Sequence, residues 1–196
     1  MRVLVVQAHP HAESFNQAIC EVAIRSLQAN GHAVDLIDLY AEGFVAAMSA
    51  AERLAYECPE PILSEQVRRH AALVGQADAV VFVYPTWWFG VPAVLKGWLD
   101  RVMVPGVAFR LDAKTNKVKR GLGNVRRIAG ITTYGSSRCN VALMSDGGRR
   151  LIGRCFRLMT HTWCRRTWLG LYDMDRATDA DRQRFLERVA EVMGSW

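Results

Sequence analysis

The sequence predicts a doubly wound α/β fold, a five-stranded parallel sheet in a three-layer α/β/α arrangement. Three observations carry that prediction. Short, nearly continuous apolar runs recur along the chain, helical periodicities separate them, and breaker residues stand at the joins. The 196 residues fit one domain, 1–196, and at 51% hydrophobic content they supply a full core.

Arg2–Gln7 reads as a buried parallel strand because it is almost all Val and Leu. Phe15–Asn30 reads as a helix with Ile19, Val22, Ala23 and Leu27 on one face and Gly31 as its stop. His32–Leu39 is the second strand. Ser49–Tyr56 and Ser64–Gln76 are helical, with Pro59 and Pro61 breaking the chain between them. Asp78–Tyr84 is the third strand and Ala93–Val104 the next helix. A long connection, Pro105–Gly123, carries a basic hairpin-like piece at Arg110–Arg120. Val125–Tyr134 is the fourth strand, Gly148–Met159 a helix, Thr167–Leu171 the fifth strand, and Asp179–Met193 a closing amphipathic helix.

Composition narrows the class. The longest apolar stretches, Val3–Val6 and Ala79–Tyr84, fall far short of the roughly 20 residues that span a bilayer. The N-terminal residues lack a signal-peptide layout, so a cytoplasmic protein without membrane insertion is expected. Cys20, Cys58, Cys139, Cys155 and Cys164 are odd in number and contain no Cys-x-x-Cys, which argues for reduced thiols over a disulfide framework or a metal site. Charge is uneven. Residues 1–100 hold 6 basic and 11 acidic side chains, and residues 101–196 hold 19 and 8. Such a basic half serves either as a solvated surface or in recognition of cofactor phosphates. Without interleaved stacking aromatics it does not make a nucleic-acid binder.

A doubly wound sheet binds ligands beyond the carboxyl ends of its strands, at the topological switch point. Three loops therefore matter. Ala8–Asn16 has neither dinucleotide-binding glycines nor a P-loop, which disfavours a Rossmann site and an ATPase. It ends at a helix start where free N–H groups and the helix dipole favour an anion, with Ser14 and Asn16 as cap candidates and His9 as a donor. Tyr84–Pro92 places Trp87, Trp88 and Phe89 in a row before Gly90, which calls for a flat ligand, an interface or the core to bury them. In that reading Gly90 lets backbone approach a ring. Thr132–Arg138 offers hydroxyls and backbone donors to the edge of a heterocycle.

Together Ala8-His9, Ser14-Phe15-Asn16, the run Trp88-Phe89-Gly90-Val91-Pro92-Ala93-Val94-Leu95-Lys96-Gly97-Trp98, Asp100-Arg101-Val102 and Thr132-Thr133 resemble the flavodoxin-like NAD(P)H:quinone oxidoreductases. That family includes DT-diaphorase, modulator of drug activity B and ancillary subunits of potassium efflux systems. The resemblance implies strand order 2-1-3-4-5 and a homodimer with the flavin ring near its interface. It implies that His9, Ser14, Phe15, Asn16 and Gln17 hold the flavin phosphates and ribityl chain. Pro85, Thr86, Trp87, Trp88 and Phe89 would line the isoalloxazine, and Thr132, Thr133, Tyr134 and Gly135 its other edge. FAD is the implied cofactor, as in bacterial chains of this length, with FMN, as in the efflux subunits, the alternative. NADPH or NADH is the co-substrate and a quinone-like small molecule the acceptor, in ping-pong hydride transfer. The second activity implied is a flavin-binding regulatory subunit in peripheral contact with a potassium efflux transporter. Two departures stand out. Asn140 and Asp146 occupy the positions of a Tyr and a His that follow the fourth strand in the animal enzymes, and the C-terminal extension of those enzymes is not expected here. Tyr134 is then the candidate proton donor beside the ring, with Asp146, Arg149 and Arg150 forming a charge cluster at a helix start.

Overall fold

The computed structural model describes residues 1–58, 60–62, 64–112 and 117–196. Pro59 and the centre of the expected Arg110–Arg120 hairpin lie outside the described residues. Five parallel strands form one sheet: β1 (Arg2–Gln7), β2 (Ala33–Asp38), β3 (Ala79–Thr86), β6 (Arg127–Tyr134) and β7 (Arg165–Leu171). Their order is β2-β1-β3-β6-β7, the 2-1-3-4-5 arrangement once the strands outside the sheet are set aside. Those are β4 (Phe109–Leu111) and β5 (Val118–Arg120), which pair antiparallel as the two arms of the hairpin-like piece.

Burial on both faces explains the apolar runs. In β1, Val3 and Val5 face one helical layer, where α1 (Phe15–Ala29) and α7 (Asp179–Gly194) pack around Ile19, Ala23, Leu27, Phe185 and Val189. Leu4 and Val6 face the other layer, which holds α3 (Glu65–Gln76) and α4 (Ala93–Val102) around Phe82, Leu95 and Trp98. Each such side chain fully buried contributes about 1.5–3 kcal/mol. Helix starts follow cap chemistry: Ser14 accepts from the Gln17 amide at 3.1 Å, and Thr178 forms a capping box with Asp181. The short α2 (Ala50–Ala55) starts with a Ser49–Glu52 capping box.

Much of the run that prompted the family resemblance is scaffold. Trp98 Nε1 donates to His70 Nδ1 at 3.2 Å, and His70 Nε2 donates to Glu42 at 2.9 Å. Burial first of all holds the His70 imidazole below its ordinary pKa, which suits a neutral ring shared between these partners. Arg101 binds Glu52 at 2.6 Å and lies over the Phe44 ring at 5.1 Å. Lys96 and Asp100 pair at 2.6 Å one helical turn apart. Gly97 lies so close to the backbone at Ala46 that a Cβ there would overlap the Ala46 carbonyl.

The structure adds to the expected elements between β6 and β7. Arg138–Leu143 is a short helix, α5, started by the Ser137 side chain. The expected helix Gly148–Met159 begins as α6 (Gly147–Arg150) and widens into a π-helical turn at Leu151–Phe156. The last strand starts at Arg165, two residues before the expected Thr167, because Arg165 and Arg166 still pair with Arg127 and Ile128. No helix among the described residues is long and apolar enough to cross a membrane. All five cysteines are free thiols, Cys20 and Cys164 buried and the rest exposed; burial pushes the Cys20 thiol up to about 12.

Candidate functional site at the carboxyl edge of the sheet

The parallel strands end on one edge, and the reversal of strand order between β1 and β3 places the three loops there. The loop after β1 stays attached at first, since the Ala8 amide donates to the Val83 carbonyl at 3.0 Å. His9 Nδ1 lies 3.0 Å from the His11 amide and 3.1 Å from the His11 carbonyl, so this nitrogen is held by the loop's own backbone. The His9 ring lies 6.4 Å from the Trp87 ring, tilted by 54°, so the first two loops meet. Ser14 caps α1. The first intrahelical bond is taken by Ala18, so the amides of Phe15 and Asn16 remain at the positive end of the helix.

Side chains in this first turn divide their work. Asn16 is buried, and neither its amide nitrogen nor its oxygen has a partner among the described residues. Leaving such a group unsatisfied costs about 1–3 kcal/mol. Gln17 accepts from Gln7 at 2.5 Å and donates to Glu21 at 3.1 Å, which commits its side chain to the scaffold. Phe15 contributes to the scaffold through its ring. Its ring packs against Phe185 of α7 at 6.4 Å within the core, so only its backbone amide faces the phosphate end of the loop.

The second loop is a tight hairpin turn. Trp87 and Gly90 exchange both backbone hydrogen bonds, at 3.1 and 3.0 Å. Trp88 and Phe89 take φ of 48° and 56°, the left-handed region that bulky residues avoid. Gly90 itself is not in the left-handed region; the strain falls on the aromatics before it. Strain of this kind gathers at functional sites. The result is that Trp88 is 100% exposed and Trp87 42%, while Phe89 is half-buried. In one copy of the chain Trp88 lines nothing; it becomes a wall only when a second surface covers it. Pro85 is buried, and Thr86 ties β3 to β6 through a 2.9 Å hydroxyl contact with Thr132.

The third loop follows β6. Thr132, Thr133 and Tyr134 are buried at the end of β6, and Gly135 is exposed just beyond. The Tyr134 hydroxyl does not stand free beside a ring slot. It donates to Asp146 at 2.8 Å and accepts from Trp168 Nε1 at 3.1 Å, while its ring stacks on Tyr172 at 4.5 Å and 2°. Burial, then the Asp146 carboxylate, drives its pKa far above that of an ordinary phenol. That opposes release of its proton, and the hydroxyl hydrogen is engaged by Asp146. Asp146 orients it, accepts from the Arg149 amide at 3.1 Å and starts α6. The charge cluster expected there is a cap without ion pairing to the Arg149 or Arg150 guanidinium among the described residues. Asn140 is exposed, its amide donating to Ser137.

Trp168 and Tyr172 are not singled out by the sequence, and Asp146 is singled out only as a helix-start charge, because their meeting with Tyr134 is tertiary. The one local sign was Asp146-Gly-Gly, a turn-prone start whose Asp adopts φ 40°. The Gly147 amide then donates to the Phe89 carbonyl at 3.0 Å, which joins this network to the aromatic turn. A second buried hydroxyl, on Tyr84, has no partner among the described residues, and burial raises its pKa well above the usual value.

With the sheet order and the three loops in place, the chain falls in a known class: it belongs to the flavodoxin-like fold family, whose profile matches residues 1–191. It is 36% identical over 152 residues to NAD(P)H dehydrogenase (quinone) 1 of Cavia porcellus, across 69% of this chain and 54% of that protein. The chain thus spans about half the length of the curated relatives it matches. The solved NAD(P)H:quinone oxidoreductase of Methanothermobacter marburgensis superposes with a TM-score of 0.79 at 26% identity, covering 100% of this chain and 95% of that one. An FMN-dependent NADH-azoreductase of Bacillus anthracis, solved in complex with FMN, shares the fold, with a TM-score of 0.75 at 18% identity over 99% of this chain and 98% of that one.

Proposed function

We propose that this chain is a flavin-dependent NAD(P)H oxidoreductase that reduces quinones or related acceptors. The observation that carries the reading is the convergence, at the switch point of the sheet, of a free helix N-terminus with an exposed, strained aromatic turn. The names of the relatives at 36% and 26% identity point the same way.

The residues present fit a flavin. The amides of Phe15 and Asn16, the Ser14 cap and the His9 ring suit a phosphate and ribityl chain. The unpartnered Asn16 amide is the group that most needs such a ligand nearby. Trp87, Trp88 and Phe89, with Pro85 and Thr86 behind them, suit a flat ring. By the resemblance, Thr132, Thr133, the Tyr134 backbone and Gly135 would face the ring's far edge. FAD is the flavin favoured by the resemblance, with FMN the alternative, and NADPH or NADH the co-substrate.

A bound flavin supplies the capacity to take hydride from NAD(P)H and pass it to an acceptor. The chain's own part is to orient and shield. Backbone donors at the Thr132–Gly135 edge stabilise negative charge that develops on the ring. The Phe89–Gly147 bond and the Asp146–Tyr134 pair hold the aromatic turn against the sheet. A homodimer completes the site, with a second copy covering Trp88.

The test is turnover. Flavin-loaded protein should oxidise NADH or NADPH only when menadione or benzoquinone is present, and double-reciprocal plots should be parallel, as one slot used in turn requires. Flavin-loaded protein that passes no electrons to any acceptor would remove the enzymatic reading. Intersecting plots would remove the shared slot.

A further inference from the structure

The positive charge of the second half gathers around one cavity that the three loops do not use. From Gly147 to Tyr172 the chain holds six arginines and no Asp or Glu. Four of them, Arg149, Arg150, Arg154 and Arg166, line a cavity of about 740 Å³ bounded by β6, β7, α6 and the π-helical turn. Among the lining residues only Asp146 is acidic, and Tyr134 and the Arg149 amide already engage its carboxylate. None of the four guanidiniums forms an ion pair among the described residues. Arg166 donates to the Gly153 carbonyl at 2.9 Å, and Arg149 lies over the Trp168 ring at 6.0 Å.

Trp168 gives the cavity an aromatic wall. Its ring occupies the space that a Cβ at Gly130 would need, so the absence of a side chain on β6 lets the indole settle against the sheet. Its Nε1 is spent on Tyr134, which fixes the ring in place.

Four cations around a concavity repel one another and focus a positive potential into it. A bound polyanion offsets that repulsion. Guanidinium forks match phosphate oxygens two at a time, and the half-buried indole, with Arg149 over it, leaves an apolar edge for a base. The volume falls within the roughly 300–1,000 Å³ of small-molecule sites, and its concave shape suits a small ligand better than a duplex or a membrane. We propose that this cavity binds a phosphorylated nucleotide carrying at least two phosphate groups. The site is separate from the candidate flavin loops and stands whether or not those loops hold a flavin. Two sources share this chemistry: a free nucleotide, and the adenosine 2′-phosphate end of NADPH.

The experiment is calorimetric titration of the purified full chain with adenosine 2′,5′-bisphosphate, which needs no turnover. Binding with Kd of about 10–100 µM is expected at low salt, weakening as salt rises. The Arg150 and Arg154 side chains form no hydrogen bond or ion pair among the described residues, so the double variant Arg150→Glu/Arg154→Glu should keep the wild-type thermal melt and lose affinity at least tenfold. Arg184→Glu/Arg188→Glu on α7, an equal charge change on the opposite layer, should bind as wild type does. No binding at about 5 mM, unchanged affinity in the cavity variant, or equal loss in both variants overturns the proposal. Displacement of the bisphosphate by NADPH but not by NADH identifies the co-substrate's phosphate as the source. Displacement by neither identifies a free nucleotide, and the site stands in both cases.

Discussion

Tyr84 and Tyr134 are two buried phenols with opposite circumstances. The Tyr134 hydroxyl has a carboxylate acceptor and an indole donor, while Tyr84 has neither. Removing an unsatisfied hydroxyl removes a desolvation penalty and little else. Tyr84→Phe is therefore expected to leave the free energy of unfolding in urea within about 1 kcal/mol of wild type, or to raise it. A loss well beyond that would mean the hydroxyl has a partner in solution. Both phenols are raised above the ordinary value of 10.0, chiefly by burial. The sign follows from linkage: above about pH 10 the unfolded chain gives up phenolic protons that the folded chain keeps. Stability from these groups is thus complete below pH 10 and lost as pH climbs toward their folded-state values. Unfolding free energy should fall between about pH 9 and pH 11, and less steeply in Tyr84→Phe. A profile unaffected by that substitution would place the titration elsewhere.

The Trp87–Gly90 turn shows what an element can carry against its own stability. Two left-handed aromatic residues cost about 1–2 kcal/mol each relative to glycine. Trp88→Gly should raise the unfolding free energy by about 1 kcal/mol and weaken flavin retention by about fivefold or more, the equivalent of a lost stacking wall. Equal flavin affinity with the gain in stability would show that Trp88 has no part in the site. The strands were legible because a buried parallel strand has to be apolar on both faces, and runs such as Val3–Val6 meet that demand visibly. The loops of the site were legible as positions, since strand ends and caps set them. What their side chains do was not. Phe15 turned to Phe185, 170 residues further along the chain, and Tyr134 met Trp168, 34 residues on. Helix α5 stayed hidden because a run as short as Arg138–Leu143 carries little periodicity. The π-helical turn escaped because apolar spacing does not distinguish it from an α-helix.

At the scale of the molecule, the run Trp88–Val102 divides into two tasks. Its helical half locks α4 to the scaffold through Trp98–His70 and Arg101–Glu52, and its turn presents a fully exposed indole. An indole in that position calls for a partner surface. Sedimentation should give a particle of twice 22.0 kDa, and Trp88→Glu should shift it toward the monomer. A wild-type monomer at tens of micromolar would leave the slot one-sided and overturn the dimeric arrangement. The central claim is that the three loops form a flavin site, and equilibrium titration of flavin-stripped protein with FAD and with FMN tests it most directly. The account expects tryptophan fluorescence to quench and saturate at one flavin per chain, with affinity lost in Trp88→Ala. Protein that stays unquenched, and that releases no flavin detectable by mass spectrometry after purification with flavin supplied, would contradict it.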